Sequence, residues 1–555
     1  MKKYLIVGGV AGGATAAARL RRLDEEAEII MFERGGDVSF ANCGLPYYVG
    51  GAIADRDKLL VMNPASFKNL FNVDVRIYSE VIGVDPVGKT VQVRSGDTQY
   101  EEAYDALLLA PGAKPLTPRI PGIDHRNIVT LRNVPDADIL HKLSRDYPAG
   151  RAVVVGGGFV GIEAAENIRQ QGLEVTVVEA APHILAPFDT DMVVQAENEL
   201  RSNGVNLKLG DGVKEFHHEP DGSIKVELSS GEMLVADFVV LSIGVRPDTG
   251  FLQDSGITLN DRGYIVVNEY MQTNFKEVYA VGDAVQTFSG QTGENTTLAL
   301  AGPANRQGRL AADNMVGANR QYGGVVGSSI LKVFDLTAAS TGMNERALQR
   351  QGLVYGKDYR FTVTFPADHA TYYPGAQSFT LKMIFSLKDG KVLGAQAIGP
   401  KGVDKRIDVI ASVIRFGGTV QDLMDLELCY APPFSSAKDP VNMAGYYADN
   451  IMQGMTNPLL PGELAAELNK GALLIDVRSP DMYKSGHING GINIPAPKLR
   501  DQLDKLDKDR PIIVSCRVGI NGYYMEQMLK QHGFMVRNLM GGFSYAKWFN
   551  LEFQY

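Results

Sequence analysis

The sequence predicts an α/β protein of three or four domains, and three observations carry that prediction. Two segments repeat one pattern of strand, glycine turn, helix, strand and terminal acid. A chain of 555 residues, at roughly 150 residues per domain, has room for more than this pair. A short linker with two prolines, Pro458 and Pro461, then sets off a last stretch of ordinary domain size.

Composition narrows the classes. At 45% hydrophobic and 21% charged, the chain has the balance of a soluble globular protein with several cores. A formal charge of −9 argues against nucleic acid as the main partner. Three cysteines, Cys43, Cys429 and Cys516, are too few for a disulfide framework or a four-cysteine metal or cluster site, so no metal is expected. So few thiols suit a reducing, cytoplasmic compartment. Met1-Lys2-Lys3 and the short run Tyr4 to Val7 do not make a secretory signal. No window approaches the roughly 18 apolar residues of a membrane span, so no membrane association is expected.

The first repeat runs from the strand Tyr4–Val7 through Gly8-Gly9-Val10-Ala11-Gly12-Gly13 into a helix over Ala14–Leu20, then a strand over Glu28–Phe32 that ends on Glu33. The second runs from Arg151–Val155 through the turn at 156–161, a helix over 162–171 and a strand over Glu174–Val178, to Glu179. Glycines make the tight turn, admit a pyrophosphate to the backbone and let helix pack on strand. The helix N-terminus offers free N–H groups and the positive end of its dipole to the phosphates. The acid accepts hydrogen bonds from ribose hydroxyls. Gly156, Gly158 and Gly161 complete G-x-G-x-x-G, whereas the first turn carries Val10 at the middle glycine.

An apolar strand near Val278–Val281 ends in Gly282-Asp283, and segments 107–113 and 239–247 read as crossovers between two nucleotide domains. With the two repeats, these resemble the flavoprotein disulfide reductases, whose two dinucleotide-binding domains are Rossmann-like. The resemblance implies FAD on Gly8, Gly9, Val10, Ala11, Gly12, Glu33, Arg34, Ala110, Gly282 and Asp283. It implies the nicotinamide nucleotide on Gly156, Gly158, Gly161, Glu179 and Gly244. Glu179 repels a 2′-phosphate and Ala180-Ala181 supplies no arginine for one, so NADH is expected over NADPH.

By the same resemblance, residues 1–113 and 245–325 form the FAD domain and 114–244 the NAD(P)H domain. An α+β dimerisation domain follows over 326–452, with strands near Phe379–Ser386 and Val392–Ile398, a helix near Lys405–Phe416, and the loop Tyr430-Ala431-Pro432-Pro433-Phe434. A homodimer is implied.

Cys43 stands in Ser39-Phe40-Ala41-Asn42-Cys43-Gly44-Leu45-Pro46-Tyr47, just after Glu33. Five positions on, where the disulfide reductases proper place a second cysteine, stands Tyr48. A lone thiolate beside a flavin forms either a mixed disulfide with a small thiol or a sulfenic acid. Ala11 occupies the place of a histidine found in the oxidase and peroxidase branch. The Cys43 segment, the first glycine turn and the stretch Tyr430–Pro440 together resemble coenzyme A-disulfide reductase.

That resemblance implies coenzyme A contacts at Thr15, Arg19, Arg22, Ser39, Asn42 and Lys438, and catalytic tyrosines at Tyr372 and Tyr430 that serve the facing subunit. Tyr373 lies next to Tyr372 and competes for the same role. Coenzyme A brings about four negative charges, so its site needs cations despite the acidic whole. Phe71 stands where some relatives carry a coenzyme A-binding lysine. Cys429 reads as a packing residue.

In the last stretch, the strands Ala472–Arg478 and Pro511–Ser515 flank Gly486-His487-Ile488, and Cys516 falls between a strand and a helix near 523–531. Such a cysteine faces backbone N–H groups that stabilise a thiolate or a persulfide anion. A phosphatase would need arginine six positions on, and that position is Gly522. Asp476-Val477-Arg478, Gly486-His487-Ile488, Cys516-Arg517, Gly541-Gly542 and Trp548 resemble the rhodanese domain over 458–555, although Asn521 stands where many active rhodaneses have arginine.

The expected activity is NADH-driven reduction of coenzyme A disulfide, coenzyme A persulfide or polysulfide through a Cys43–S–S–CoA mixed disulfide, with Cys516 handling sulfane sulfur. The competing expectations are an NADH oxidase or peroxidase with a Cys43 sulfenic acid, and a redox-sensing sulfur-carrier scaffold.

Overall fold

The computed structural model describes all 555 residues, which divide into two compact units. One holds residues 1–185 and 200–325, the other 186–199 and 326–555.

The first unit contains two parallel sheets. In the first, β1 (Lys3–Val7) leads through the glycine turn to α1 (Ala11–Leu23), β2 (Glu28–Phe32) and β3 (Asp74–Arg76). β4 (Ala106–Leu109) pairs with the other edge of β1. In chain order β5 (Ala113–Pro115) and β6 (Ile128–Thr130) come next, and the second sheet is then built from β7 (Arg151–Val155), α2 (Phe159–Gln170), β8 (Glu174–Glu179), β9 (Val205–Leu209) and β10 (Phe238–Leu241). The chain returns through β11 (Val245–Pro247) to β12 (Val278–Ala280), which completes the first sheet, and to α3 (Ala301–Met315). The strand orders are β12-β4-β1-β2-β3 and β9-β8-β7-β10-β6, and every pair in them is parallel. The central strands are buried along nearly their whole length, as a sheet covered on both faces requires. The two crossover segments run side by side as an antiparallel ribbon of β5 and β11.

Register decides where the site residues gather. Val7 is level with Phe32 and with Leu109, and Leu109 is level with Ala280. Gly8, Glu33, Ala110 and Gly282 therefore emerge together at the carboxyl edge of the first sheet, where open α/β sheets bind ligands. Val155 is level with Val178 and Leu241, which brings Gly156, Glu179 and the 242–244 turn to the same edge of the second sheet.

The helices begin earlier than their apolar periodicity suggests. α1 starts at Ala11 and α2 at Phe159, inside the glycine turns themselves. The first helical turn must present its N–H groups outward, so it carries no apolar stripe to read.

The second unit holds a five-stranded antiparallel sheet of β13 (Ser329–Val333), β14 (Leu336–Gly342), β15 (Tyr359–Thr364), β16 (Thr380–Ser386) and β17 (Val392–Gly399), ordered β13-β14-β17-β16-β15. α4 (Val403–Arg415) and α5 (Pro440–Met452) pack with Leu381, Met383 and Phe385. Alternation along the strands sends Tyr359, Phe361, Val363 and Ile384 into a different cluster, shared with Met540 and Tyr545 of the last domain. That domain has a parallel sheet of β18 (Leu473–Asp476), β19 (Ile492–Asn493), β20 (Ile512–Ser515) and β21 (Val536–Asn538), with α6 (Ile520–Gln531) after β20. α6 too starts three residues before its apolar pattern.

A buried ion cluster reinforces this seam. Lys382 is 0% exposed, and its ammonium lies 3.0 Å from Asp189, 2.8 Å from Asp191 and 2.5 Å from Glu345. Burial alone would discharge the lysine, and the three carboxylates hold it charged. The Tyr545 hydroxyl donates to Asp191 and so ties the last domain into the cluster. No helix is long and apolar enough to cross a membrane.

Candidate active site

The two nucleotide turns are near-copies. Gly8 has φ +95°, and a Cβ there would lie 2.1 Å from the Ala110 carbonyl oxygen; Gly156 has φ +109°, with the Ser242 carbonyl at 2.3 Å. Only glycine fits either position. Glu33 accepts from Gly9 N–H and Gly35 N–H, each at 3.0 Å, and Glu179 accepts from Gly157 N–H and Ala181 N–H, each at 2.7 Å. No side chain caps α1 at Val10 or α2 at Gly158, so first-turn N–H groups are left for phosphate oxygens. The missing middle glycine costs the first turn nothing in this geometry, because Val10 adopts a negative φ of −103°. Gly12 serves packing instead: a Cβ on Gly308 of α3 would lie 2.3 Å from its carbonyl oxygen.

Arg34 is exposed and paired with Asp248 at 2.5 Å. Asp283 has one cation near it, Arg132 at 4.0 Å, and burial pushes its carboxyl up. A half-buried carboxyl with a single distant partner suits a ligand's hydroxyl groups, so these residues fit FAD and a nicotinamide nucleotide.

Cys43 is exposed in a short turn (Asn42–Gly44) that ends against Leu45–Val49. Burial of its sulfur and then the charges of Glu163 and Asp283 push the thiol up. Glu163, on α2, accepts from the Tyr47 hydroxyl at 3.1 Å, and burial lifts its carboxyl to about 7. The sequence reading missed Tyr47, Glu163 and Arg132. An acid in the middle of a helix that otherwise buries Ile162, Ala164 and Ala165 is the signal for Glu163.

The residues carried over for coenzyme A are differently committed. Asn42 has a buried Oδ1 with no hydrogen-bond partner, and Ser39 is held at φ +48°, its N–H donating to the Gly9 carbonyl at 2.8 Å. Arg22 and Lys438 are exposed. Arg19 is bound to buried Asp313 at 2.6 Å, and the Thr15 hydroxyl donates to Asn305 at 2.8 Å. Phe71 packs against the first core.

In the second unit, the Tyr372 and Tyr430 hydroxyls share a hydrogen bond at 2.7 Å, which raises the Tyr372 phenol. Tyr373 turns instead to the edge of the His369 ring. Geometry thus pairs Tyr372, not Tyr373, with Tyr430. Both members of the pair are exposed, at 73% and 48%. Cys429 is exposed beside Tyr430.

Cys516, one residue past β20, is 3% exposed. Gly519 N–H donates to its sulfur at 3.0 Å, and Gly542 packs so closely that a Cβ there would lie 2.3 Å from the Cys516 carbonyl oxygen. Asp476 and Arg478 form a buried pair at 2.6 Å, which braces the β18 end of the same sheet.

The chain matches the family description "Pyridine nucleotide-disulphide oxidoreductase" over residues 2–308, its dimerisation domain over 328–440 and the "Rhodanese-like domain" over 460–548. It is 36% identical over 453 residues to a coenzyme A disulfide reductase of Staphylococcus epidermidis, covering 81% of this chain and 100% of that one. The reduced CoADR-RHD structure of Bacillus anthracis is similar with a TM-score of 0.95 at 45% identity, covering 99% of this chain and 98% of that one. An NAD-dependent persulfide reductase from A. fulgidus is similar with a TM-score of 0.92 at 36% identity, covering 99% of this chain and all of the other. On this footing, the chain belongs to the pyridine nucleotide-disulphide oxidoreductase family and carries a rhodanese-like domain at its C-terminal side.

Proposed function

We propose that the protein uses NADH to reduce coenzyme A disulfide, coenzyme A persulfide or polysulfide, and that its rhodanese domain handles sulfane sulfur at Cys516. The observation that carries this is Cys43: an exposed thiol beside the first glycine turn, with Tyr48 where a second cysteine would stand.

The Cys43 thiolate attacks a sulfur of the substrate disulfide, the S–S bond breaks, and one thiolate leaves. Cys43–S–S–CoA remains. When bound, FAD carries the two electrons of NADH to that mixed disulfide. Coenzyme A then departs as a thiolate, which takes a proton from the Tyr372–Tyr430 pair, supplied by the partner of a homodimer. Ser39, Asn42, Arg22 and Lys438 contact coenzyme A, whereas Arg19 first has to share Asp313. The carboxylate of Glu179 selects NADH over NADPH by repelling a 2′-phosphate. The FAD, NAD(P)H, dimerisation and rhodanese domains span 1–113 with 245–325, 114–244, 326–452 and 458–555, in a cytoplasmic protein.

Steady-state and stopped-flow assays with both coenzyme A substrates test the scheme. Cys43→Ser should lose about 10³-fold or more in turnover, as expected for a covalent nucleophile. Cys516→Ser should keep coenzyme A disulfide reduction within about two-fold while impairing polysulfide turnover. Undiminished turnover in Cys43→Ser overturns the proposal, and oxygen consumption at matching rates would favour the oxidase.

A further inference from the structure

Tyr372 and Tyr430 stand on different loops, 58 positions apart, and both are exposed. For their hydroxyls to meet at 2.7 Å, the two loops have to be held at a fixed offset. A single buried side chain reaches the base of each.

Arg406, on α4, is 2% exposed. Its Nη2 donates to the Asp368 carbonyl at 2.9 Å, and to the Ser435 hydroxyl and the Asp439 carboxylate at 3.1 Å each. Asp368 lies four residues before Tyr372, and Ser435 five after Tyr430. One nitrogen therefore binds both loops.

The contacts around it close the frame. Ala370 N–H donates to the Ser435 carbonyl at 3.1 Å, which joins the loops directly. The Ser435 hydroxyl donates to Asp439 at 2.6 Å, and the other oxygen of Asp439 accepts Val441 N–H at 3.0 Å, where α5 begins. On the Tyr372 side, the Asp368 carboxylate accepts Gln377 N–H at 2.8 Å and meets Nδ1 of His369 at 2.9 Å. Nε2 of the same ring lies 3.3 Å from the Pro374 carbonyl, so the loop is braced across its base.

Stability alone is a poor reason for this arrangement. Replacing a buried ion pair by apolar side chains is often neutral or stabilising. The Arg406 Nε is also buried without a hydrogen-bond partner, which costs stability. An apolar side chain could not tie a carbonyl on one loop and a hydroxyl and carboxylate on another to one planar group.

We infer that Arg406 is the positioning residue of the tyrosine pair: it sets the offset between the two loops, and through it the hydrogen bond that Tyr372 and Tyr430 share. This rests on the reading of that pair as the proton donor to the departing coenzyme A thiolate. The proton comes from the tyrosines, and Arg406 transfers none.

The test is a mutant cycle on full-length holoenzyme with NADH and coenzyme A disulfide. Arg406→Lys keeps a cation opposite Asp439 and removes the planar fork. Its turnover should fall about 10²-fold, as for a displacement of about 1 Å at a reacting group. Reduction of the bound flavin by NADH, which precedes the tyrosines' step, should stay within about two-fold. In a Tyr372→Phe/Tyr430→Phe background the same substitution should cost less than about two-fold, because the pair through which it acts is gone. Ser435→Ala keeps the Arg406–Asp439 pair and should lose about ten-fold, the effect of one hydrogen bond to a charged group, and again almost nothing without the tyrosines. It carries the test by itself where Arg406→Lys does not fold. Parental turnover in Ser435→Ala and Arg406→Lys overturns the inference, and so does a loss that persists undiminished without the tyrosines, the mark of a purely structural role. Parental turnover in Tyr372→Phe/Tyr430→Phe itself overturns the proton-donor reading and the inference together.

Discussion

The two chemically assigned thiols live in opposite surroundings. Cys43 is an exposed residue whose thiol is pushed up first by burial of its sulfur and then by two carboxyl groups; Cys516 is 3% exposed and accepts an N–H from its own loop. The contrast matches what the proposed function asks of each. A thiol that exchanges with coenzyme A has to be open to a long, charged molecule. A thiol that carries a single sulfur can be closed, and closure shields a persulfide from stray thiols. The Cys43 thiol has to be activated against burial and two carboxyl groups, whereas Cys516 already has an N–H donor built into its loop.

The seam between the antiparallel sheet and the domain that carries Cys516 offers the largest way to break this contrast. Lys382→Met leaves Asp189, Asp191 and Glu345 facing one another without their cation, and stranding buried charge of this kind costs about 3–5 kcal/mol. Chemical denaturation should report that loss. Limited proteolysis should cut near the 453–460 linker, and alkylation of Cys516 should rise toward the rate at Cys43. A variant with parental stability and a protected Cys516 would show that the apolar cluster of Tyr359, Phe361, Met540 and Tyr545 holds the domain unaided.

The tyrosine pair sharpens the Cys43 side. Tyr372→Phe and Tyr430→Phe should each slow coenzyme A disulfide reduction by about 10²- to 10⁴-fold, the range for a positioned proton donor. Because the two hydroxyls share one hydrogen bond, the double variant should fall well short of the product of the single losses. Tyr373→Phe should stay within about two-fold, since that ring faces His369. Rapid single-turnover kinetics separates these outcomes.

What was legible in the sequence was local. The glycine turns, the acids Glu33 and Glu179 and the Cys43 and Cys516 loops are short stretches in which spacing determines geometry. What was not legible joins distant stretches. Lys382 meets Asp191 across 191 positions, Tyr47 meets Glu163 across 116, and Thr456 meets Glu526 across 70. Arg19 is expected at coenzyme A, and its partner Asp313 lies on α3, far along the chain.

Glu163 gives the smallest effect and the most specific one. Its carboxyl is lifted to about 7, chiefly by burial, so it is neutral below that pH and charged above it. Glu163→Gln removes the charge that acts on Cys43 at alkaline pH and changes little below pH 6. Alkylation of Cys43 in the variant should therefore match the parent below about pH 6 and run a few-fold faster above pH 7. Linkage gives a second readout with a definite sign. A carboxyl raised on folding contributes stability that is complete below the unfolded value of 4.5 and is lost as pH rises through about 7. The parent should lose about 1–2 kcal/mol across that window relative to Glu163→Gln, once solvent screening is allowed for. Equal alkylation rates at pH 8 would mean that the Glu163 charge does not reach the Cys43 sulfur, and the contrast between the two thiols would then rest on exposure alone.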